Sequence, residues 1–237
     1  MRILALETSA KAVSAAVTED GKVLCSGYQD TGLTHSRTLM PIVEAMLKNN
    51  FKRNVVKGEK GIKILAPAAG PGSFTGIRIG VSAAKGLAFA ADKPCAAVST
   101  LEAMARNVAH MDALVVCAMD ARRSQIYNAL FTSEHGRLTR RTPDRAIGLA
   151  ELAEELRSEP LPLVIVGDGA VLCEKALTES GLPCRLAPPQ LVMQNAMSVA
   201  LCAEDLARAG KLVSAQELLP VYLRPPQAQR LRQPPQI

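Results

Sequence analysis

The chain has 237 residues, 48% of them hydrophobic and 21% charged, with a formal net charge of +6. This balance is typical of a globular protein and excludes a disordered one. Without an apolar run near the roughly 20 residues of a membrane span, and with the acidic Glu7 too early for a secretory signal, we expect a cytoplasmic protein with no membrane partner.

The first part of the chain predicts three strands, a helix, a strand, a second helix and a short strand. Asp20-Gly21 marks a hairpin turn between the second and third strands. Ser99 and Glu102 form a capping box that opens a connecting helix. The strands are predicted over residues 2–8, 12–18, 22–27, 62–68 and 95–98, and the helices over 36–48 and 74–91.

The second part repeats this order. Its strands are predicted over residues 113–118, 125–131, 137–141, 163–166 and 184–187, and its helices over 149–157, 170–180 and 196–209. A repeated βββαβαβ order predicts an α/β fold of two similar lobes, which is the plan of the actin-like ATPase fold. We place the lobes at residues 1–100 and 101–237, with the terminal segment 220–237 either packed on the first lobe or mobile.

A glycine-rich loop, Gly70-Pro71-Gly72-Ser73-Phe74-Thr75-Gly76, stands between a predicted strand and a predicted helix. Glycines let a backbone approach another surface closely, and the free N–H groups at a helix start can face an anion or a partner. The glycine spacing matches neither the Walker loop nor the dinucleotide-binding loop. The loop is therefore a candidate site, and a tight turn into a packed helix is the alternative.

The first hairpin of each lobe would hold the phosphates of ATP in an actin-like ATPase. Here the two turns, Glu7–Lys11 and Asp120–Ser124, contain no glycine whose amide could wrap an anion. We therefore expect no cofactor. The weak candidates for residual nucleotide contact are Thr8, Ser9, Asp120, Gly167 and Gly169, and Asp168 could equally cap a helix.

Five blocks of sequence, in order, resemble the TsaB (YeaZ) family. They are Thr34–Arg37, Gly70–Gly80, Met119–Arg123 ahead of Tyr127, Gly167–Gly169 and Pro220–Arg224. The resemblance extends over nearly the whole chain. The chain departs from the family at Glu7, where aspartate is common, and in the basic stretch 50–60, which could contact tRNA or a partner or be a solvated loop.

The resemblance implies a non-catalytic subunit in bacterial synthesis of tRNA threonylcarbamoyladenosine. Such a subunit would bind and stabilise the catalytic TsaD, help to recruit TsaE and meet tRNA only through the complex. Without TsaD, we expect two copies of the chain to form a homodimer through the surface that would otherwise bind TsaD.

Catalytic and metal-binding residues are not predicted. His35, His110 and His135 are too far apart for one helical face to present two imidazoles to a metal, and we assign His35 a local hydrogen bond at a helix start. Two alternatives stay open: a small-molecule kinase or ATPase of the actin-like fold, and a metal-dependent glycoprotease.

Two helices carry the predicted partner surface. The apolar side chains of the helix near residues 36–48 spread over roughly 160° of the helical wheel. On the helix after the glycine loop, Gly76 and Gly80 share one face, where small residues permit a neighbouring helix to come close. Wide apolar faces are also common in plain core helices. The predicted partner-binding residues are Leu39, Met40, Val43, Met46, Leu47, Thr75, Gly76, Ile79, Gly80, Ala83 and Leu87.

Overall fold

Two mixed β-sheets covered by helices make up the computed structural model, which describes residues 1–51, 56 and 61–224. The first sheet has the strand order β3-β2-β1-β4-β5, and the second has the order β11-β10-β6-β7-β8 with β9 paired to β7. Within the described ranges, no helix is long and apolar enough to cross a lipid bilayer.

The elements of the first sheet and its helices are β1 (Arg2–Glu7), β2 (Val13–Glu19), β3 (Lys22–Gln29), α1 (His35–Asn50), β4 (Ile64–Gly70), α2 (Phe74–Ala91) and β5 (Val98–Ser99). They are followed by α3 (Thr100–Arg106), β6 (Ala113–Asp120), β7 (Gln125–Glu134), β8 (Arg137–Arg140), β9 (Arg145–Gly148), α4 (Leu149–Glu155), β10 (Leu163–Val166), α5 (Ala170–Glu179), β11 (Cys184–Leu186) and α6 (Ala196–Arg208).

Both sheets are built around a central strand with equivalent neighbours. β1 pairs antiparallel with β2 and parallel with β4, and β6 pairs antiparallel with β7 and parallel with β10. The predicted α/β fold of two similar lobes is therefore confirmed. The sequence missed β9, because four residues with a single buried side chain, Ile147, are too short to display a period-two pattern.

The alternation of side chains along β1 explains how one strand serves two cores. Leu4 and Leu6 point into the cluster formed with α1 and α2, whereas Ile3 and Ala5 point into the cluster formed with α6. Successive side chains of a strand face opposite sides of the sheet, so both faces of the first sheet are covered. β1 therefore reads as a continuous apolar run.

Helices α3 and α6 connect the two lobes. Leu101 and Met104 of α3 pack in a core of the second sheet, whereas Ala196 and Val199 of α6 pack on the first. The two helices also contact each other. The division of the chain at residue 100 stays a prediction.

Helix α2 lies against the end of β1. Ser73 caps the helix, because its Oγ accepts a hydrogen bond from the N–H of Gly76 at 3.2 Å. Thr8 Oγ1 donates to the carbonyl oxygen of Gly76 at 2.7 Å. A Cβ atom on Gly76 would clash with the carbonyl oxygen of Thr8, and one on Gly80 would clash with Thr8 Oγ1. Thr8 of the same chain is therefore the close neighbour of these two glycines. The sequence had instead predicted a neighbouring helix of a partner.

Two glycines of α2 test this contact. We expect Gly80→Ala to lower the free energy of unfolding by about 1–3 kcal/mol, because the new methyl group must displace Thr8. Gly86 is the matched control: it is exposed and nothing lies within 4 Å of an added Cβ. Gly86→Ala should raise stability by roughly 0.5–1 kcal/mol through helix propensity. Urea unfolding of both variants measures the difference, and equal stability would contradict the contact.

Candidate functional site

The glycine loop uses its own N–H groups to hold the first lobe together. The N–H of Ser73 donates to the carbonyl oxygen of Ser9 at 2.7 Å, and the N–H of Ile77 donates to the carbonyl oxygen of Ser73 at 2.9 Å. With the N–H of Gly76 bonded to Ser73 Oγ, three backbone donors at the start of α2 are used within the protein. The loop therefore works as the packed junction between strand and helix, which was the alternative interpretation.

A cleft of about 470 Å³ lies where the two lobes face each other. Its walls come from the β1–β2 turn, the glycine loop, the β6–β7 turn and the segment around Tyr222. Three of the seven aromatic side chains of the protein line it, although they are far apart in sequence. They are Phe74, Tyr127 and Tyr222.

Charges of both signs line the cleft. Lys11, Arg122 and Arg224 bring positive charge, and Asp120 and Asp168 bring negative charge. Burial raises the pKa of Asp168, and the hydrogen bond that it accepts from Gln194 Nε2 at 3.1 Å opposes that rise. Asp168 is therefore held by Gln194 and is not the predicted helix cap, since α5 has Gly169 at its N-cap without a side-chain bond.

Glu7 is buried at the end of β1, behind the cleft. Its Oε1 accepts the N–H of Ser9 at 2.5 Å, whereas Oε2 has no hydrogen-bond partner in the described part of the chain. Burial, with a smaller contribution from the charge of Asp168, raises the pKa of Glu7 from 4.5 to about 7.

Three amides of the two hairpin turns are hydrogen-bonded within the protein. The N–H of Ser9 goes to Glu7, the N–H of Ala121 goes to the carbonyl of Gln125 at 3.0 Å, and the N–H of Arg122 goes to Asp120 Oδ1 at 2.7 Å. A phosphate-binding hairpin needs such amides free to face the anion. These three amides are therefore not free to bind a phosphate.

The five weak nucleotide candidates separate into two groups. Ser9 and Asp120 line the cleft, whereas Thr8 is fully buried against α2. Gly167 and Gly169 pack against the end of β6, because a Cβ on either would lie under 3.0 Å from its backbone. Three of the five therefore have a packing role that the sequence could not distinguish from ligand contact.

The structure divides the predicted partner-binding residues by exposure. The buried members are Leu39, Val43, Met46, Gly76 and Gly80, the half-buried members are Leu47, Ile79, Ala83 and Leu87, and the exposed members are Met40 and Thr75. Most of the wide apolar arc of α1 is therefore core of its own lobe.

Helix α2 nevertheless presents an unusual outer face. The exposed positions are Thr75, Arg78, Ser82, Gly86, Phe89 and Ala90. Arg78 is the single charged residue among these six, and Phe89 is 74% exposed. Surface helices normally carry charged and polar residues on the side that faces water. The outer face of α2, defined by these six positions, is therefore a candidate protein-binding surface.

His35 Nε2 bonds the carbonyl oxygen of Ala10 at 2.8 Å, so its bond reaches the β1–β2 turn and is not the local one predicted. In the ranges that the structure describes, no three His, Cys, Asp or Glu side chains come together as metal ligands could. The basic stretch falls largely outside the described residues, at 52–55 and 57–60.

Sequence reasoning missed the roles of Phe74, Tyr222 and Arg224 in the cleft. A signal was present, since aromatic residues are only 3% of the chain and two of these three residues are among them. Their convergence depends on the return of the chain after α6 to the first lobe, which has no local sequence pattern.

Comparison with known proteins shows the structural class of the chain. The family model described as TsaD, tRNA N6-adenosine threonylcarbamoyltransferase, matches residues 29–214. YeaZ from Pseudomonas aeruginosa superposes with a TM-score of 0.78 at 26% identity, covering 94% of this chain and 99% of that chain. A ROK hexokinase from Thermus thermophilus, with a TM-score of 0.51 and 12% identity over 87% of this chain and all of its own, shares the fold. The chain is thus a two-lobed protein of the actin-like ATPase fold.

Similar sequences within this class show the family of the chain. The tRNA threonylcarbamoyladenosine biosynthesis protein TsaB of Bacillus subtilis is 33% identical over 179 residues, which is 76% of each chain. The protein of the same name from Escherichia coli is 32% identical over 228 residues, covering 94% of this chain and 95% of its own. The chain belongs to the TsaB (YeaZ) family, as the five sequence blocks predicted.

The buried carboxyl of Glu7 makes stability depend on pH. Because its folded pKa of about 7 lies above the ordinary 4.5, the folded protein holds a proton that the unfolded chain releases. The free energy of unfolding should therefore fall as pH rises from about 4.5 to 7, by up to roughly 3 kcal/mol. We expect Glu7→Gln to remove this fall, as measured by denaturant unfolding across the range. The exposed Glu151→Gln is the control, and parallel curves for Glu7→Gln and the unsubstituted protein would contradict the assignment.

Proposed function

We propose that this protein is a non-catalytic scaffold subunit in the cytoplasmic synthesis of tRNA threonylcarbamoyladenosine. It binds and stabilises TsaD, helps to recruit TsaE and meets tRNA only through the assembled complex. In the absence of TsaD, it pairs with a second copy of itself. Its membership of the TsaB family and its match to the TsaD model support this assignment.

The observation that carries the proposal is the outer face of α2. Helix α2 has 18 residues, of which two are basic and none is acidic. Its outer face therefore gains little free energy from contact with water. Ile79, Ala83 and Leu87 continue the face as half-buried apolar residues, and Met40 of the neighbouring α1 is 42% exposed. A partner that covers the two helices would bury this apolar area, and an ordinary stable interface needs about 800 Å² on each side.

The site geometry favours a binding role over chemistry of its own. Five amides of the two hairpin turns and the glycine loop are bonded inside the protein, and the carboxyl group of Glu7 is buried. These features disfavour the kinase or ATPase alternative, because phosphoryl transfer depends on donors and a cation arranged around the phosphates. The family name and the α2 surface both favour a partner protein.

A charge on the outer face of α2 tests TsaD binding. Ser82 is exposed, so Ser82→Arg adds a long cation to the surface without entering the core. We expect the dissociation constant for TsaD to rise about 30-fold or more, as for a central interface residue. Titration calorimetry measures it, with Ala150→Arg on the exposed side of α4 as the matched control. Equal affinities for both variants would place TsaD elsewhere.

Val43 is not a suitable position for a substitution in the same titration. That side chain is 1% exposed within the core of its own lobe, so a glutamate there would bury an unpaired charge and unfold the protein. Met40→Glu is the suitable companion on α1, because the side chain already faces solvent. Loss of the homodimer in light scattering with Met40→Glu or Ser82→Arg would place self-association on the same face.

Reconstitution tests the role as a whole. We expect TsaD, TsaE, a threonylcarbamoyl-adenylate source and tRNA to yield modified tRNA only when this protein is present, because TsaD depends on it for a stable active form. Mass spectrometry of the digested tRNA measures the product. This protein alone with the same substrates is the control. Product from that control would reveal an enzyme, and full activity on omission would refute the scaffold.

A further inference from the structure

After α6 the chain returns to the first lobe and is held there. Leu218 is fully buried in the core cluster of α1 and α2. Lys85 of α2 donates through Nζ to the carbonyl oxygens of Gln216 and Leu218, both at 3.1 Å. These contacts fix the start of the next five residues, Pro220 to Arg224, which we name the strap.

The strap is attached to the first lobe at two points. The N–H of Val221 donates to the carbonyl oxygen of Ala69 at the end of β4, at 2.7 Å. The ring of Tyr222 packs on Phe74 with 4.9 Å between ring centroids. Gly70 makes room for this approach: its φ is +129°, and a Cβ there would clash with the carbonyl oxygen of Val221. A residue other than glycine at this position would push the strap away.

The strap then reaches the second lobe. Arg224 Nη1 donates to the carbonyl oxygen of Ala121, at the start of the β6–β7 turn, at 2.9 Å. Between its two ends, residues 221–224 line the interlobe cleft. Four consecutive residues thus span from the end of β4 to the end of β6, which are the edges of the cleft in the two lobes.

We propose that the strap is an intramolecular clamp that holds the two lobes together across the cleft. A ligand bound between two lobes limits their motion by making contacts with both. The strap makes such contacts with residues of the chain itself, so lobe closure here does not need a bound nucleotide. This inference concerns the free protein and does not depend on the proposed role with TsaD.

Hydrogen–deuterium exchange of the free, full-length protein tests the clamp. Arg224→Ala removes the contact with the second lobe, and Tyr222→Ala removes the ring contact with the first. We expect each variant to speed exchange about tenfold at both edges of the cleft, in residues 72–76 and 121–125, because loss of either end frees the whole strap. Unchanged exchange inside β6 would show that the variants remain folded.

Matched controls use the same residue types away from the cleft. Arg185 is exposed on β11, and Tyr28 is 51% exposed on the edge strand β3, so Arg185→Ala and Tyr28→Ala should leave both edges unchanged. Faster exchange confined to the edge that each substituted residue touches would show two separate local contacts and overturn the clamp. Unaltered exchange in both strap variants would also overturn it.

Discussion

The packing of the end of β1 into the glycine loop is the contact on which the rest of the site depends. Thr8 fills the space that Gly76 and Gly80 leave open, and Ser9 accepts the N–H of Ser73. The amide of Ser73 is thereby bonded inside the lobe, and Glu7, the last residue of β1, is buried beside this contact. A loop that has the composition of a ligand site is thereby used to join a strand to a helix.

The same contact orients α2. With one side of the helix held against β1 and β4, its opposite side must face outward, and that side bears a single charge. The burial of the apolar residues of α1 leaves α2 as the larger candidate surface. Packing inside the lobe and presentation of a partner surface are therefore two consequences of one helix placement.

Some features of the interlobe cleft favour a bound small molecule, and others disfavour one. Its aromatic and charged lining resembles that of a small-molecule site, whereas several amides of the turns around it make internal bonds. The strap offers a physical account of this combination. Contacts made by the protein's own chain across the cleft give the lobes a defined separation, and the cleft can then keep its shape without an occupant.

The lobe plan could be predicted from local signals in the sequence, namely hydrophobic periodicity, the Asp20-Gly21 turn and the Ser99 cap. The sequence also indicated the family, through five short blocks. Which of the residues singled out in the sequence are core, and which are exposed, depends on the packing of distant parts of the chain. Gly80 and Met46 pack inside, Met40 faces outward, and Arg224 reaches Ala121, since each outcome depends on what another part of the chain places beside the residue. Burial and long-range contact are properties of the assembled fold, and no local pattern encodes them.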